Sequence, residues 1–189
     1  MSIQINNLHI KETNKTHDII IPNGLNWLKG DNGSGKSILL DAISGMNKPK
    51  SCSINMPESF VYLNQTVYFS DRLKVKDFVK FVYLLNGCSQ WNRDFKSFLE
   101  KYNISLDSVW NKTTGIISGG ERQFLYVITI LSIERDWYIL DEPFVAIDEK
   151  RKKVIFEILY DKEKKGKSCL LTSHENFENN EGLWKIIYI

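Results

Sequence analysis

The chain has 189 residues, 42% of them hydrophobic and 25% charged, with a formal net charge of +2. This is the size of one domain, or of one domain with a small subdomain, able to bury roughly 70% of its unfolded surface. The near balance of charge excludes a global field toward nucleic acid or anionic lipid, and no apolar run reaches the ~20 residues of a membrane span.

The polar N-terminus, Met1 to Asn14, has no signal-peptide pattern. Within it Ile3, Ile5, Leu8 and Ile10 alternate as in a strand. Ile19-Ile20-Ile21 forms a second, ended by Pro22-Asn23-Gly24, and both strands are expected to be short. Leu25, Trp27 and Leu28 mark a third. Then comes Gly30-Asp31-Asn32-Gly33-Ser34-Gly35-Lys36-Ser37. The helix after it carries Ile38, Leu39, Leu40, Ala42, Ile43 and Met46 and stops near Gly45, with Pro49 beyond. Phe60 to Leu63 reads as a strand whose end bears Asn64-Gln65.

Apolar positions at Val75, Phe78, Val79, Val82 and Leu85 suit one helix, and Phe95, Phe98, Leu99 and Tyr102 another, with Asn86-Gly87 between. This helical region, approximately 66–131, lies between two strands of the main sheet and reads as an inserted subdomain. Ile117-Ser118-Gly119-Gly120-Glu121 opens a helix bearing Phe124, Leu125, Ile128 and Leu131. Trp137 to Leu140 is an unbroken apolar run, as in a strand buried on both faces, and ends in Asp141-Glu142-Pro143. Asp148 is placed to cap a helix carrying Val154, Ile155, Ile158 and Leu159, which Gly166 terminates. Cys169 to Thr172 is another buried strand, ending at Ser173-His174, and Trp184 to Ile189 is the last. Cys52, Cys88 and Cys169 are odd in number and widely spaced, which predicts reduced thiols of a cytosolic protein rather than a metal site.

Strands alternating with helices predict an α/β fold with a mainly parallel sheet, whose ligands sit at the carboxyl ends of the strands. The polar groups above fall at such ends. Gly30 to Ser37, between a strand and a helix, has the context of a phosphate loop. Its glycines allow backbone N–H groups to approach an anion closely, and the positive end of the helix adds to the attraction. Lys36 is expected to reach the β- and γ-phosphates, and the Ser37 hydroxyl to bind Mg²⁺.

Taken together the motifs resemble the ATP-binding cassette (ABC) ATPases, in the family's order and over nearly the whole chain. Gln65 resembles the Q-loop glutamine, Ile117 to Glu121 the signature motif, Tyr138 to Glu142 the second nucleotide motif, Ala146-Ile147-Asp148 the D-loop and His174 the switch histidine. The resemblance implies a phosphate-loop NTPase core with a short N-terminal antiparallel β subdomain and an inserted helical one, forming a single ATPase domain over 1–189. It implies that Gly30, Asn32, Gly33, Ser34, Gly35, Lys36, Ser37 and Ile38 hold the nucleotide. Asp141, with Ser37 and Gln65, is expected to serve Mg²⁺. Glu142 is expected to be the general base, a role worth roughly 10²–10⁴-fold, with His174 sensing the γ-phosphate and Gln65 joining metal or water. Two cassettes would clamp two ATP molecules head to tail, so that Ser118, Gly119, Gly120, Glu121 and Asp148 act across the dimer.

The expected reading is therefore ATP hydrolysis that drives a separate transmembrane subunit from the cytoplasmic face, in a homodimer or beside a related cassette. The compact form, ending after the last strand, is similar to cassettes of small bacterial exporters of peptides or antimicrobials. Soluble ABC ATPases of chromosome maintenance, repair or iron–sulfur assembly form the rival class. No nucleic-acid partner is expected, because the Lys-rich stretches Lys150 to Lys153 and Lys162 to Lys167 include or adjoin acidic residues and read as a solvated face. The sequence departs from the family in three places. No Phe, Tyr or Trp precedes Trp27 to stack adenine, Ile38 stands where Thr is common, and Glu121 where Gln is usual. In the segment after Gln65, Thr66 to Ser70, and in the insert, several aromatics including Trp91 and Trp110 compete for core and docking roles.

Overall fold

The first hydrophobic alternation changes phase: Ile3 and Ile5 are odd-numbered, Leu8 and Ile10 even-numbered, yet all four are buried. Strand β1 (Ile3–Ile10) pairs antiparallel with β2 (Lys15–Ile21), and its register shifts between Ile5 and Leu8. At the shift Asn7 takes φ 58° and its N–H donates to Asp18 Oδ1 at 2.8 Å. The irregularity turns the even positions inward, and asparagine tolerates this left-handed backbone better than most residues. β1 has 8 residues, the span its apolar positions mark, whereas β2 has 7 and begins four residues before Ile19.

The computed structural model describes residues 2–10, 14–47, 52–65, 69–174 and 182–189, with only the backbone of Lys15. Pro49 and Thr66 to Tyr68 lie outside the described residues. The chain divides into two units, one of residues 1–65, 135–143 and 159–189, the other of 66–134 and 144–158.

In the first unit, β3 (Leu25–Lys29), helix α1 (Lys36–Ser44) and the short strand β4 (Ser53–Asn55) follow β2. β4 joins β1 on the side opposite β2, giving an antiparallel sheet of order β2-β1-β4. Strands β5 (Phe60–Leu63), β6 (Trp137–Leu140), β7 (Ser168–Thr172) and β8 (Trp184–Tyr188) complete a second sheet of order β5-β6-β7-β3-β8, and every pairing in it is parallel. β6 and β7 are buried along their whole length, as their unbroken apolar runs predict.

Leu39, Leu40, Ala42 and Ile43 of α1 share one core cluster with Ile3, Leu8 and Ile21 of the antiparallel sheet and Trp137, Ile139 and Leu170 of the parallel one. Each large aliphatic side chain so buried contributes about 1.5–3 kcal/mol. The cluster fixes α1 against both sheets, with its N-terminus at the carboxyl end of β3. Helix α1 ends in the left-handed Gly45, as predicted.

Asn26 interrupts the apolar run of β3 and is fully buried. Its amide donates to the carbonyls of Pro22, Gly24 and Cys169 at 2.8, 3.0 and 3.2 Å, tying the turn before β3 to β7.

In the second unit α2 (Val75–Leu85) has the predicted span, while α3 (Trp91–Lys101) begins four residues before the first apolar position, Phe95. They pack with α4 (Gly119–Ser132). Trp110 stacks on Phe95 and Trp91, at centroid distances of 6.0 and 6.5 Å, and Phe69 meets Phe78 edge-on at 4.6 Å. These rings therefore pack within the unit. Helix α5 (Glu149–Lys164) starts under the predicted cap, Asp148 Oδ1 accepting the Arg151 N–H at 3.0 Å.

One part of the solvated-face expectation fails. Lys162 is buried, and its ammonium donates to the Tyr138 hydroxyl at 2.7 Å and lies 4.5 Å from that ring's centroid. Its long stem and the aromatic ring let one end of the Lys-rich run turn inward.

Replacing Asn26 by Leu removes all three bonds, with the Gly24 carbonyl keeping the Cys169 N–H at 2.9 Å. Chemical denaturation is expected to show a loss of about 1–3 kcal/mol with an unchanged m-value.

Candidate functional site

The turn between β3 and α1 is shaped by close approach. Gly35 has φ 102°, and a Cβ there would lie 2.5 Å from Ile10 Cδ1. A Cβ on Gly30 would lie 2.4 Å from Ser34 Oγ and 2.8 Å from the Ile189 carbonyl. Lys36 is buried beneath the turn, its ammonium donating to the Gly30 carbonyl at 2.7 Å and the Asp31 carbonyl at 3.1 Å. The first amides of α1 have no helical partner, and with the helix dipole they favour an anion. Ser34 Oγ is buried with no hydrogen-bond partner.

Asp141 and Glu142 leave the end of β6 and are buried. The Asp141 N–H donates to Leu63 O at 2.8 Å, extending the ladder between β5 and β6. The Thr172 hydroxyl, at the end of β7, donates to Asp141 Oδ1 at 2.6 Å and accepts the Glu142 N–H at 2.9 Å. One hydroxyl thus holds both residues. Glu142 has φ 50°, a strained conformation for a non-glycine residue. Its Oε2 accepts the His174 N–H at 3.2 Å, and the imidazole Nε2 lies 3.3 Å from Oε1 without hydrogen-bond alignment. Burial pushes the Glu142 pKa up, and the His174 backbone N–H offsets part of that rise.

Asp141 Oδ2 is also buried without a hydrogen-bond partner. A buried carboxylate oxygen left open is costly unless a cation or donor completes it, so the donor set suits a hard divalent ion. A cavity of about 380 Å³ is lined by this carboxylate pair, Gln65, His174, Asn32, Gly33, Gly35, Lys36, Ser37 and Ile38. Thus the predicted phosphate-loop, carboxylate, glutamine and histidine positions converge, Gly30 and Ser34 standing behind them in the same turn. A roomier cavity of about 550 Å³ in the second unit runs along α3, past Phe95 and Trp110, and contains none of the predicted residues.

The other predicted residues form a separate group in the second unit. Ser118 caps α4, its hydroxyl accepting the Glu121 N–H at 3.2 Å while Glu121 Oε2 accepts the Ser118 N–H at 2.9 Å. That reciprocal pair needs Glu or Gln at the third position, which gives Glu121 a local reason. The Ser118 N–H also holds the Glu121 carboxyl below the usual range. A Cβ on Gly120 would fall 2.3 Å from the Ala146 carbonyl, so the segment leading to Asp148 packs directly on the turn. Arg151 pairs with Asp148 at 2.8 Å and reaches Glu121 at 3.7 Å.

Thr172 was not among the predicted site residues. Its signal was a hydroxyl closing an otherwise apolar buried strand. Trp27, the first aromatic in the chain, is buried in β3 under the Lys29 ammonium, 3.7 Å from the ring centroid.

Residues 20–145 match the ABC transporter family. The chain is 31% identical over 162 residues to a metal transport system ATP-binding protein of Chlamydia muridarum, covering 77% of this chain and 62% of that one. It is 24% identical over 172 residues to the cytochrome c biogenesis ATP-binding export protein CcmA of Reclinomonas americana, covering 85% and 77%. It therefore spans less than two thirds of the first relative's length. Two solved structures share the fold. One is an ABC transporter ATP-binding protein from Pyrococcus furiosus, with a TM-score of 0.79, 23% identity and coverage of 98% and 97%. The other is a dimeric bacterial ABC transporter cassette, with a TM-score of 0.81, 18% identity and coverage of 99% and 94%.

The raised pKa of Glu142 has a stability consequence. A carboxyl whose folded pKa is raised favours folding below its unfolded value and loses that contribution as pH climbs through the folded value. Glu142→Gln removes the ionisation, so its thermal midpoint should gain on the unsubstituted protein as pH rises from about 4.5 to neutrality. A gap that does not change with pH contradicts this.

Proposed function

Because the chain belongs to the ABC transporter family, we propose that it binds MgATP and hydrolyses it to drive a separate membrane-embedded subunit. The observation that carries this reading is Asp141, with one buried carboxylate oxygen lacking a hydrogen-bond partner, in the lining of the same cavity as Lys36, Ser37, Gln65, Glu142 and His174. Ser37, Gln65 and Asp141 are the residues assigned to Mg²⁺, which when bound supplies charge neutralisation on the β- and γ-phosphates.

In this reading the Lys36 ammonium exchanges its two loop carbonyls for phosphate oxygens. The amides of Gly33, Ser34, Gly35, Lys36, Ser37 and Ile38 cradle the phosphates, with Gly30 and Asn32 shaping the turn. Glu142 takes a proton from the attacking water. Its raised pKa makes it a better base than an ordinary carboxylate, and Thr172 holds its backbone in place. His174, already hydrogen-bonded to Glu142 through its N–H, orients that water against the γ-phosphate. The whole of 1–189 is proposed to act as one ATPase domain, with the helical insertion at approximately 66–131.

Two copies are proposed to face each other head to tail, either as a homodimer or as a pair with a related cassette. Ser118 and Gly119 are exposed at the start of α4, so their hydroxyl and amide are open to a neighbour's phosphate. Glu121, Gly120 and Asp148 support that contact from the same unit. No helix among the described residues is long and apolar enough to cross a membrane. Attachment to the cytoplasmic face therefore falls to the membrane-embedded partner. The relatives' names include metal transport, export and import, and export of a peptide or antimicrobial rests on the resemblance alone.

Glu142→Gln is expected to retain MgATP binding while hydrolysis falls roughly 10²–10⁴-fold; undiminished hydrolysis contradicts the assignment. With no aromatic before Trp27 and Trp27 itself buried, stacking worth about 1–3 kcal/mol is missing. Competition binding should therefore show GTP and ATP displacing a fluorescent nucleotide at similar concentrations. Purification from detergent extracts should bring down a polytopic membrane protein; recovery of DNA or of soluble assembly factors would instead support the rival class.

A further inference from the structure

Between the end of β5 and the first turns of α1 lies a closed polar triangle that the roles above leave unused. The Tyr62 hydroxyl donates to Asp41 Oδ1 at 2.8 Å. The Asn64 amide donates to the same oxygen at 3.2 Å and to the Tyr62 hydroxyl at 3.0 Å. Asp41 is four residues after Ser37, hence one turn along the same face of α1. Asn64 immediately precedes Gln65. The triangle thus joins the helix that carries one assigned Mg²⁺ ligand to the strand end that carries another.

We propose that Asp41, Tyr62 and Asn64 are positioning residues that set the separation of Ser37 and Gln65. The inference rests on the ATPase reading above. Ser37 stands on a helix buried against two sheets, but Gln65 stands at an exposed strand end. Side chains at such an end are held only as well as the groups beside them. Asn64 is tied to α1 by one hydrogen bond, to Asp41, and to the Tyr62 hydroxyl by a second from the same amide nitrogen, and Asp41 gathers both donors on one oxygen. Burial and the adjacent Asp41 carboxylate hold the Tyr62 phenol protonated far beyond its ordinary range, so it stays a donor. Removing the hydroxyl alone keeps the Tyr62 ring that packs against the core cluster, beside the buried Val61 and Leu63.

The test uses the full chain, with MgATP turnover measured against both ATP and Mg²⁺, and nucleotide binding followed separately with a fluorescent analogue. Tyr62→Phe is expected to lower kcat roughly tenfold, as loss of a residue behind a metal ligand does, and to raise the half-saturating Mg²⁺ concentration, with nucleotide affinity changed less than about twofold. In a Gln65→Ala background, Tyr62→Phe should cost nothing further. Asp41→Ala, which removes the acceptor of both donors, should cost at least as much as Tyr62→Phe, and Asp41→Asn, which keeps an acceptor for the phenol, should recover most of the loss. Losses that multiply in the double variant, an unchanged kcat in Tyr62→Phe, or a kcat loss that follows a lowered melting temperature would each overturn the proposal. An unsubstituted protein that neither binds nor hydrolyses ATP overturns the functional reading and this with it; an active one with multiplying losses overturns only the positioning role.

Discussion

The burial of one short helix is the constraint on which the rest of the first unit depends. Four apolar residues of α1 sit in a single cluster with side chains of both sheets, so the helix can neither slide nor rotate without opening the core. Its free amides therefore emerge at a fixed place, beside the carboxyl ends of the parallel strands. The close approach of Gly35 to Ile10 belongs to the same packing. The antiparallel sheet reaches the loop only because the irregularity at Asn7 turns Leu8 and Ile10 inward.

Against this rigid cationic end the protein sets two buried carboxylates, an arrangement that costs stability. Thr172 offsets part of the cost by donating to Asp141, and the His174 N–H does the same for Glu142. Even so, one oxygen of each carboxylate has no hydrogen-bond partner and the backbone of Glu142 is left-handed. Strain and unmet polar groups gathered at one cavity are the pattern expected of a site organised for a ligand rather than for maximal stability. The second unit is built differently. Its signature turn is satisfied locally by a reciprocal cap, and Arg151 reaches both Glu121 and Asp148 at the surface. Surface ion pairs of this kind contribute little to stability; what they hold is the geometry of the turn.

Most of the fold was legible in the sequence, because its signals are local. The spans of β5, β6 and α2, the cap at Asp148 and the stop at Gly45 each follow from periodicity or from one residue type with a defined backbone role. The convergence of Gly30 to Ser37, Gln65, Asp141, Glu142 and His174 was also anticipated, since a parallel sheet collects its strand ends on one side. The misses are equally instructive. β4 has only three residues and no pattern of its own. β2 begins at Lys15, four residues before the apolar run that marked it, because Lys15 to His17 pair with the far end of β1. Lys162 looked like solvent-facing charge until Tyr138 supplied a partner.

The amino-acid order alone determined which segments become strands and helices, and which residue types stand at their ends, because propensity, periodicity and capping act over a few neighbours. The tertiary structure decided which of those ends are held and by what. Thr172 is 31 residues from Asp141, and Tyr62 is 21 residues from Asp41. Contacts at such separations exist only once the sheets have closed on α1, when the burial of apolar surface has met the cost of bringing distant side chains together.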